Sequence, residues 1–198
     1  MSAPGELGNG GLPIAGFADL AAFSQWLEQQ PANSPGLWLR LAKKGSVTES
    51  LSKQQAIDAA LCHGWIDGQL GTYDANHFLV RFTPRQPRSK WSQINCTRAE
   101  QLVGEGLMQP GGLAQVAAAK ADGRWDAAYA PASTATVPDD LQAALDASPV
   151  AAGFFATLTG ANRYAILYRI GSVKRSETRA RKIAGFVSMM ERGETIHG

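Results

Sequence analysis

The chain has 198 residues, of which 44% are hydrophobic and 18% are charged. This composition is typical of a globular protein and excludes a disordered or collagen-like chain. Nineteen basic and seventeen acidic side chains leave a formal net charge of +2, which is too small by itself to indicate a nucleic-acid partner. A chain of this length folds without disulfides or a structural metal.

Glycine and proline are frequent in residues 1–16, which predicts a flexible leader. The leader has neither the basic n-region nor the apolar run of a secretory signal, and no apolar stretch of the chain is long enough to span a membrane. We therefore expect a cytoplasmic protein that is not inserted into a membrane. In that compartment Cys62 and Cys96 are expected to stay reduced.

The next part of the sequence combines helical and strand patterns. Apolar residues over 17–29 follow helical spacing, and Ser52 begins a capping-box pattern ahead of a second helix. Residues with the alternation or composition of strands lie at 37–43, 65–71 and 78–83. The last two are joined by a short turn, which indicates a hairpin and favours α+β over doubly wound α/β. We expect a small antiparallel three-stranded sheet packed with helices.

Helical patterns dominate the second half of the chain. Asn95 or Thr97 is expected to cap the first of these helices. Alanine, proline, serine and threonine are concentrated in residues 127–137, which predicts a loop between two parts of the protein. The expected organisation is an α+β domain over 17–126 and a helical C-terminal subdomain over 138–198 that packs on it.

Six motifs carry a family resemblance. They are ALCHGWIDG (60–68), VRFTPRQPRSKWSQIN (80–95), GLMQPGGL (106–113), AKADGRW (119–125), KRSETRARKI (174–183) and GETIHG (193–198). With these motifs in this order, the chain resembles the bacterial YdeI/OmpD-associated proteins, also labelled bacteriocin-protection proteins, over residues 17–198. The resemblance implies a role in resistance to antimicrobial peptides and association with an outer-membrane porin. It implies no reaction and no catalytic residue.

The first candidate site is a basic and aromatic segment stiffened by two prolines. Guanidinium groups suit phosphate or carboxylate, and a tryptophan stacks on a base or a cation. Strand alternation places an aspartate and a tryptophan on one face, where they are expected to line a pocket opposite Arg81. The ligand-binding candidates are Trp65, Asp67, Arg81, Arg85, Arg88, Lys90, Trp91 and Asn95. The alternative is a structural crossover in which Trp91 lies in the core and the arginines pair with acidic residues.

A second basic cluster lies at the start of the last predicted helix, which begins at Ser176. Its members are Lys174, Arg175, Arg179 and Arg181. Positive charge there opposes the helix dipole, so a bound anion would relieve it. The alternative is that these side chains are solvated or pair with Asp139, Asp140 and Asp146. If this cluster docks against the first basic segment, the two form one anion site.

A thiol, an imidazole and a carboxylate occur close together at Cys62, His63 and Asp67. Adjacent helical residues point about 100° apart, so Cys62 and His63 do not face each other as a catalytic pair would. We expect Cys62 to pack as a small apolar residue and the helix dipole to account for His63. The histidine and cysteine spacings match no zinc site, so no metal, no cofactor and no catalytic residue is assigned.

Several functions remain open at the level of sequence. The favoured one is a cytosolic stress or antimicrobial-peptide-tolerance protein that binds an anionic or aromatic small ligand. The alternatives are an enzyme acting on a small anionic metabolite, with Asp67 as acid or base, and a nucleic-acid-binding or protein-interaction module that uses both basic segments. The expected partner is an anionic small molecule or an acidic protein, and nucleic acid is not favoured.

Overall fold

The computed structural model describes residues 6–46 and 50–197, so residues 1–5 of the predicted leader lie outside the described part. The chain divides into two compact units, unit 1 over Met1–Ala128 and unit 2 over Tyr129–Gly198. Unit 1 holds the sheet and unit 2 is helical.

The strands and α-helices are divided between the two units, and a short 3-10 helix at Asn9–Gly11 precedes them. Those of unit 1, within the described residues, are β1 (Ile14–Ala15), α1 (Leu20–Glu28), β2 (Leu37–Ala42), α2 (Lys53–Cys62), β3 (Trp65–Thr72), β4 (His77–Pro84), α3 (Gln93–Gly104) and α4 (Pro110–Ala121). Those of unit 2, on the same basis, are α5 (Asp139–Asp146), α6 (Pro149–Thr157), α7 (Gly160–Gly171) and α8 (Ser176–Glu191).

The sheet has four strands in the order β1-β2-β4-β3 among the described residues. Strand β4 pairs antiparallel with both β2 and β3, and β1 pairs parallel with β2. The α+β class is therefore confirmed, but the expected three-stranded antiparallel sheet is wrong in detail. The missing strand comes from the glycine-rich residues assigned to the leader, and two residues are too few to show alternation.

The two faces of the sheet are covered differently. Leu37, Leu39 and Leu41 on one face pack in a core with Phe23 and Leu27 of α1. On the other face a smaller cluster joins Trp38 and Leu79 to Leu12 and Ile14. The Trp38 Nε1–H donates to the Asn9 carbonyl at 3.0 Å. The segment before β1 therefore serves as the cover of the second face.

A second core of unit 1 joins α2, α3 and α4. The capping box at Ser52 is confirmed, since its hydroxyl accepts from the Gln55 N–H at 3.2 Å. Helix α3 begins earlier than expected, by three residues if Asn95 is taken as the expected cap and by five if Thr97 is. The Ser92 hydroxyl accepts from the Asn95 N–H at 3.1 Å, so Ser92 is the cap and neither Asn95 nor Thr97 is.

Helix α4 approaches the end of α2 so closely that only glycine fits between them. A Cβ on Gly112 would lie 2.3 Å from the Cys62 carbonyl oxygen, and one on Gly111 would lie 2.9 Å from the His63 carbonyl oxygen. Real Cβ atoms do not approach backbone oxygen at 2.3 Å. The glycines of the Pro-Gly-Gly sequence therefore fix where α4 begins, and this contact shapes the site described below.

Unit 2 has its own apolar core, built from α5, α6, α7 and α8. Its buried residues include Ile166, Leu167 and Ile170. All three belong to α7, which includes residues 163–170. None of the helices in the described residues is both long and apolar enough to cross a membrane.

Candidate functional site

A cleft of about 460 Å³ opens in unit 1, where α2 ends, β3 begins and α4 begins. Ligand pockets typically measure about 300–1,000 Å³. The polar residues that line it are Glu28, Gln30, His63, Arg85, Gln109 and Gln115. The apolar ones include Leu27, Pro31, Trp65, Pro84 and Pro110. Trp65 and Arg85 are each 4% exposed, so they belong to the deep part of the wall.

Backbone hydrogen bonds hold together three of the four chain segments that line the cleft. Gly64 ends α2 in the left-handed region, with φ of 78°, and so turns the chain into β3. Its carbonyl accepts from the Arg85 N–H at 3.0 Å, which joins the end of β4 to this turn. The Cys62 carbonyl accepts from the Gln109 N–H at 3.0 Å, which joins α4 to α2. The wall is therefore built before any ligand binds.

Arg85 is a buried cation held by a tryptophan. Its Cζ lies 3.6 Å from the centroid of the Trp91 ring, and its Nη1 donates to the Lys90 carbonyl at 3.2 Å. The Trp91 ring in turn packs against Trp125, with ring centroids 4.9 Å apart. A desolvated cation–π contact of this kind contributes about 2 kcal/mol. Trp91 thus packs against the Arg85 guanidinium and is itself part of the core, and the Nε and Nη2 atoms of Arg85 are buried.

Three cleft side chains are not engaged by the rest of the described protein. The Glu28 carboxylate, the His63 ring and the Gln115 amide make no hydrogen bond or ion pair within residues 6–46 and 50–197. Burial lowers the pKa of His63 from its ordinary 6.5, and the Glu28 charge opposes that shift. His63 is therefore neutral at pH 7, with one ring nitrogen that donates and one that accepts.

This lining can recognise a small polar molecule with an apolar part. Arg85 supplies a positive charge, Glu28 a negative charge, and His63 and the glutamines both donors and acceptors. Proline, leucine and tryptophan supply apolar walls. A concave, mostly preformed site with a few convergent polar groups is the usual form of a ligand pocket.

The structure brings together only two of the eight ligand-binding candidates, Trp65 and Arg85. Trp91 lies behind Arg85, 2% exposed, as the structural alternative expected. Arg88 and Lys90 are exposed on the loop after β4, and Asn95 lies in the first turn of α3. The single pocket that was expected to hold these residues with Trp65 is therefore not formed.

Asp67 and Arg81 lie on opposite faces of the sheet, which corrects the expectation that they line one pocket. Asp67 is opposite Phe82 in the register, and Arg81 is opposite Trp38. Directly opposed residues of an antiparallel pair share a face, and successive residues alternate. Neither residue lines the cleft. Asp67 makes no ion pair with any described residue.

The second basic cluster lies in unit 2, whereas the first basic segment lies in unit 1. Arg179 is engaged there, because its Nη2 donates to Asp140 at 2.9 Å and its Nη1 to the Ile170 carbonyl at 2.9 Å. Lys174, Arg175 and Arg181 are exposed. The Asp140–Arg179 pair borders an apolar groove of about 500 Å³ between α5 and α8.

The two cysteines are free and buried in the core between α2, α3 and α4. Burial raises the pKa of the Cys96 thiol to about 11, and burial followed by the Asp58 charge raises that of Cys62. Both are protonated at neutral pH, so neither is poised as a nucleophile. Within the described ranges no three histidine, cysteine or acidic side chains are grouped as metal ligands.

Glu28 and Gln115 are cleft residues that the sequence analysis missed, and His63 was explained by the helix dipole alone. Glu28 and Gln115 lie far apart in sequence, and neither belongs to an unusual motif. The Gln-Pro-Gly-Gly sequence at 109–112 is the one local signal that indicates the site. Glycines that no turn requires often mark a close backbone approach.

Two family descriptions match the chain. "Domain of unknown function (DUF8412)" matches residues 15–115, and "Bacteriocin-protection, YdeI or OmpD-Associated" matches residues 134–193. The first match covers more than half of the chain, which therefore belongs to that family. The second confirms the resemblance to the YdeI/OmpD-associated proteins in unit 2. Searches of curated proteins and of solved structures gave no match.

Proposed function

We propose that this member of the DUF8412 family, with its YdeI/OmpD-associated domain, is a small-molecule-binding protein whose ligand carries an anionic group. The observation that carries the proposal is the cleft at the α2–α4 contact, lined by buried Arg85 and by His63, Gln115 and Trp65. A buried guanidinium is a strong receptor for carboxylate or phosphate. Arg85 and Trp65 are the two candidates from the sequence that support the proposal, because both line the cleft.

The apolar lining supports a ligand with an uncharged hydrophobic part. Pro31 and Pro110 are exposed and offer rigid surface that loses little entropy when a ligand packs against it. An anionic group alone would leave this surface exposed to water. The ligand is therefore proposed to combine an anionic head with an aliphatic or aromatic body.

The biological role that we propose is tolerance of bacteriocins or related stress in the cytoplasm. Its support is the description of the family that matches unit 2. A bacterial strain that lacks the gene, complemented with wild-type protein or with Gln115→Glu, tests this role under bacteriocin challenge. We expect wild type to restore survival and Gln115→Glu to fail. Equal survival with both would show that bacteriocin tolerance does not depend on the cleft, which contradicts this part of the proposal.

A thermal-shift screen of small carboxylates and phosphates tests binding directly. A ligand at 100 times its Kd stabilises the native state by about 2.7 kcal/mol. Arg85 is a poor residue to remove because it also stacks on Trp91. Gln115→Glu adds a negative charge to the cleft wall instead, and Gln69→Glu adds the same charge on an exposed part of β3 outside the cleft.

We expect Gln115→Glu to abolish the shift of an anionic ligand and Gln69→Glu to retain it. Retention in both variants would mean that the anion binds elsewhere, which contradicts the proposal. The absence of any stabilising anion from the screen would contradict it as well.

A further inference from the structure

His63 is a titratable residue in the wall of the cleft. It follows the last residue of α2 and is half-buried, and its ring makes no hydrogen bond or ion pair in the described part of the chain. The His77 ring, by contrast, lies 3.0 Å from the Asp74 carboxylate. The ring nitrogens of His63 are therefore available to a ligand, as one donor and one acceptor when neutral and as two donors when protonated.

Arg85 supplies its positive charge from inside the wall of the cleft. Its Nε and Nη2 atoms are buried, and its Nη1 donates to the Lys90 carbonyl at 3.2 Å. Direct contact with an anionic group therefore depends on the more accessible polar residues of the lining. Among the described residues that line the cleft, His63 is the only other one whose side chain can become a cation.

The charges around His63 are few. Helix α1 brings Glu28 to the cleft and the residue after β4 is Arg85, whereas α4 and the turn into β3 contribute uncharged side chains to the described lining. Burial lowers the pKa of His63, and the Glu28 charge opposes that shift. An anion bound beside the ring would add a second negative charge, which favours the imidazolium and raises its pKa.

We infer that His63 binds the anionic group of the ligand as an imidazolium, so that the protein takes up a proton when the ligand binds. This inference rests on the proposed function and adds proton coupling to the same site. The imidazolium donates a charge-assisted hydrogen bond, which is stronger than that of the neutral ring. Because linkage is reciprocal, a ligand that favours the protonated ring binds more tightly as the pH falls.

Calorimetry on the full chain with 3-phenylpropionate tests the inference. The carboxyl of this probe titrates near that of glutamic acid, at about 4.3, so the probe stays mostly charged between about pH 5.5 and pH 7.5. We expect the Kd to fall by about threefold to tenfold over this range, since a rise of one unit in the His63 pKa corresponds to a factor of ten. Titrations in buffers of different ionisation enthalpy measure the proton uptake itself.

The variant His63→Gln keeps a polar side chain that cannot carry a charge. It should remove both the proton uptake and the tighter binding at low pH. The control His197→Gln, at an exposed position outside the cleft, should retain both. Proton uptake by wild type decides the inference even if His63→Gln binds too weakly to measure.

Glu28 is the other lining residue that can take up a proton, and Glu28→Gln separates its titration from that of His63. This variant should still take up a proton on binding, with the change in affinity moved to lower pH because the Glu28 charge raises the pKa of His63. Loss of proton uptake in Glu28→Gln but not in His63→Gln would assign the coupling to Glu28 and overturn the inference.

The same titrations distinguish this inference from the proposal on which it rests. If wild type binds 3-phenylpropionate without proton uptake and with equal affinity at both pH values, the inference is wrong and the anion-binding proposal stands. If 3-phenylpropionate binds at neither pH, both are wrong.

Discussion

The cleft of unit 1 and the groove of unit 2 have similar volumes and opposite chemistry. In the groove the charged residues are Asp140 and Arg179, which bind each other, and the other lining residues are mostly alanine, isoleucine and valine. In the cleft Glu28, His63 and Gln115 have no such partner among the described residues. The difference shows that a cluster of charged residues indicates a binding site only when the structure shows which of them already pair within the protein. The arginine-rich start of α8 is prominent in the sequence, yet Arg179 binds Asp140 and the Ile170 carbonyl within unit 2.

A substitution that moves α4 away from α2 is expected to disturb the cleft more than any other change. Gly112→Ala places a Cβ 2.3 Å from the Cys62 carbonyl oxygen, so the helix has to shift. Such overpacking costs about 1–3 kcal/mol, and it should also weaken ligand binding because α4 forms one wall of the cleft. Urea denaturation and calorimetry measure the two effects.

The matched control is Gly104→Ala at the end of α3, where a Cβ meets nothing within 4 Å. This change should leave binding intact and stabilise the helix by up to about 1 kcal/mol. Equal behaviour of the two variants would show that the α2–α4 approach does not set the geometry of the cleft.

Burial of His63 in the cleft is expected to make the stability of the protein depend on pH. Its folded pKa is lowered by burial, so the folded state binds the proton less tightly than the unfolded state does. Its contribution to stability is present above the unfolded pKa of about 6.5 and is lost as the pH falls below that value. His63→Gln should therefore reduce the loss of unfolding free energy between about pH 7 and pH 5.

Urea denaturation at both pH values checks this prediction. His197→Gln, at an exposed position near the C-terminus, is the control and should keep the wild-type pH dependence. An unchanged dependence in His63→Gln would mean that the imidazole is not desolvated in the cleft.

The smallest expected effect concerns the ion pair at the groove. The Arg179 guanidinium lowers the pKa of the Asp140 carboxyl, so the pair contributes stability above the unfolded pKa and loses it as the pH falls through the lower folded value. Asp140 is half-exposed, and such pairs contribute about 0.2–1 kcal/mol. Asp140→Asn should lower the unfolding free energy by no more than this at pH 7, with a smaller difference near about pH 3.

Calorimetry measures whether Asp140→Asn also changes ligand binding. Asp140→Asn should leave ligand binding at the cleft unchanged, because the groove pair is structural. A variant that folds normally and loses binding would assign the ligand to unit 2.

Local sequence patterns were enough to predict most helices and strands but few of the contacts between them. Alternation located β2, the Ser52 capping box located α2, and Ser176 begins α8 as expected. Strand β1 was not predicted because its pairing with β2 depends on residues distant in sequence. Period-two alternation correctly put Trp65 and Asp67 on one face, but the face of Arg81 depends on the β3–β4 register, which a bulge shifts between Asp67 and Leu70.

The cleft could be predicted only where a local sequence encodes it. Arg85 and Trp65 belong to conspicuous motifs and were selected, whereas Glu28 ends an ordinary amphipathic helix and Gln115 lies within an alanine-rich one. Their importance arises from the α2–α4 approach, which long-range packing determines. The stacking of Arg85 on Trp91 could not be predicted either, because the sequence is compatible with Trp91 on a ligand-binding surface as well as in the core.

An amide NMR titration of the full chain with 3-phenylpropionate, which combines an anionic head with an aromatic body, is the direct test of ligand binding at the cleft. We expect the largest shifts at Gly64, Arg85 and Gly111 and at the Trp65 indole, because these groups line the cleft. The amides of Ala144 and Ala180 in the groove should stay unchanged. Shifts confined to unit 2, or no shifts with this probe, would contradict the assignment of the cleft as the site of an anionic ligand.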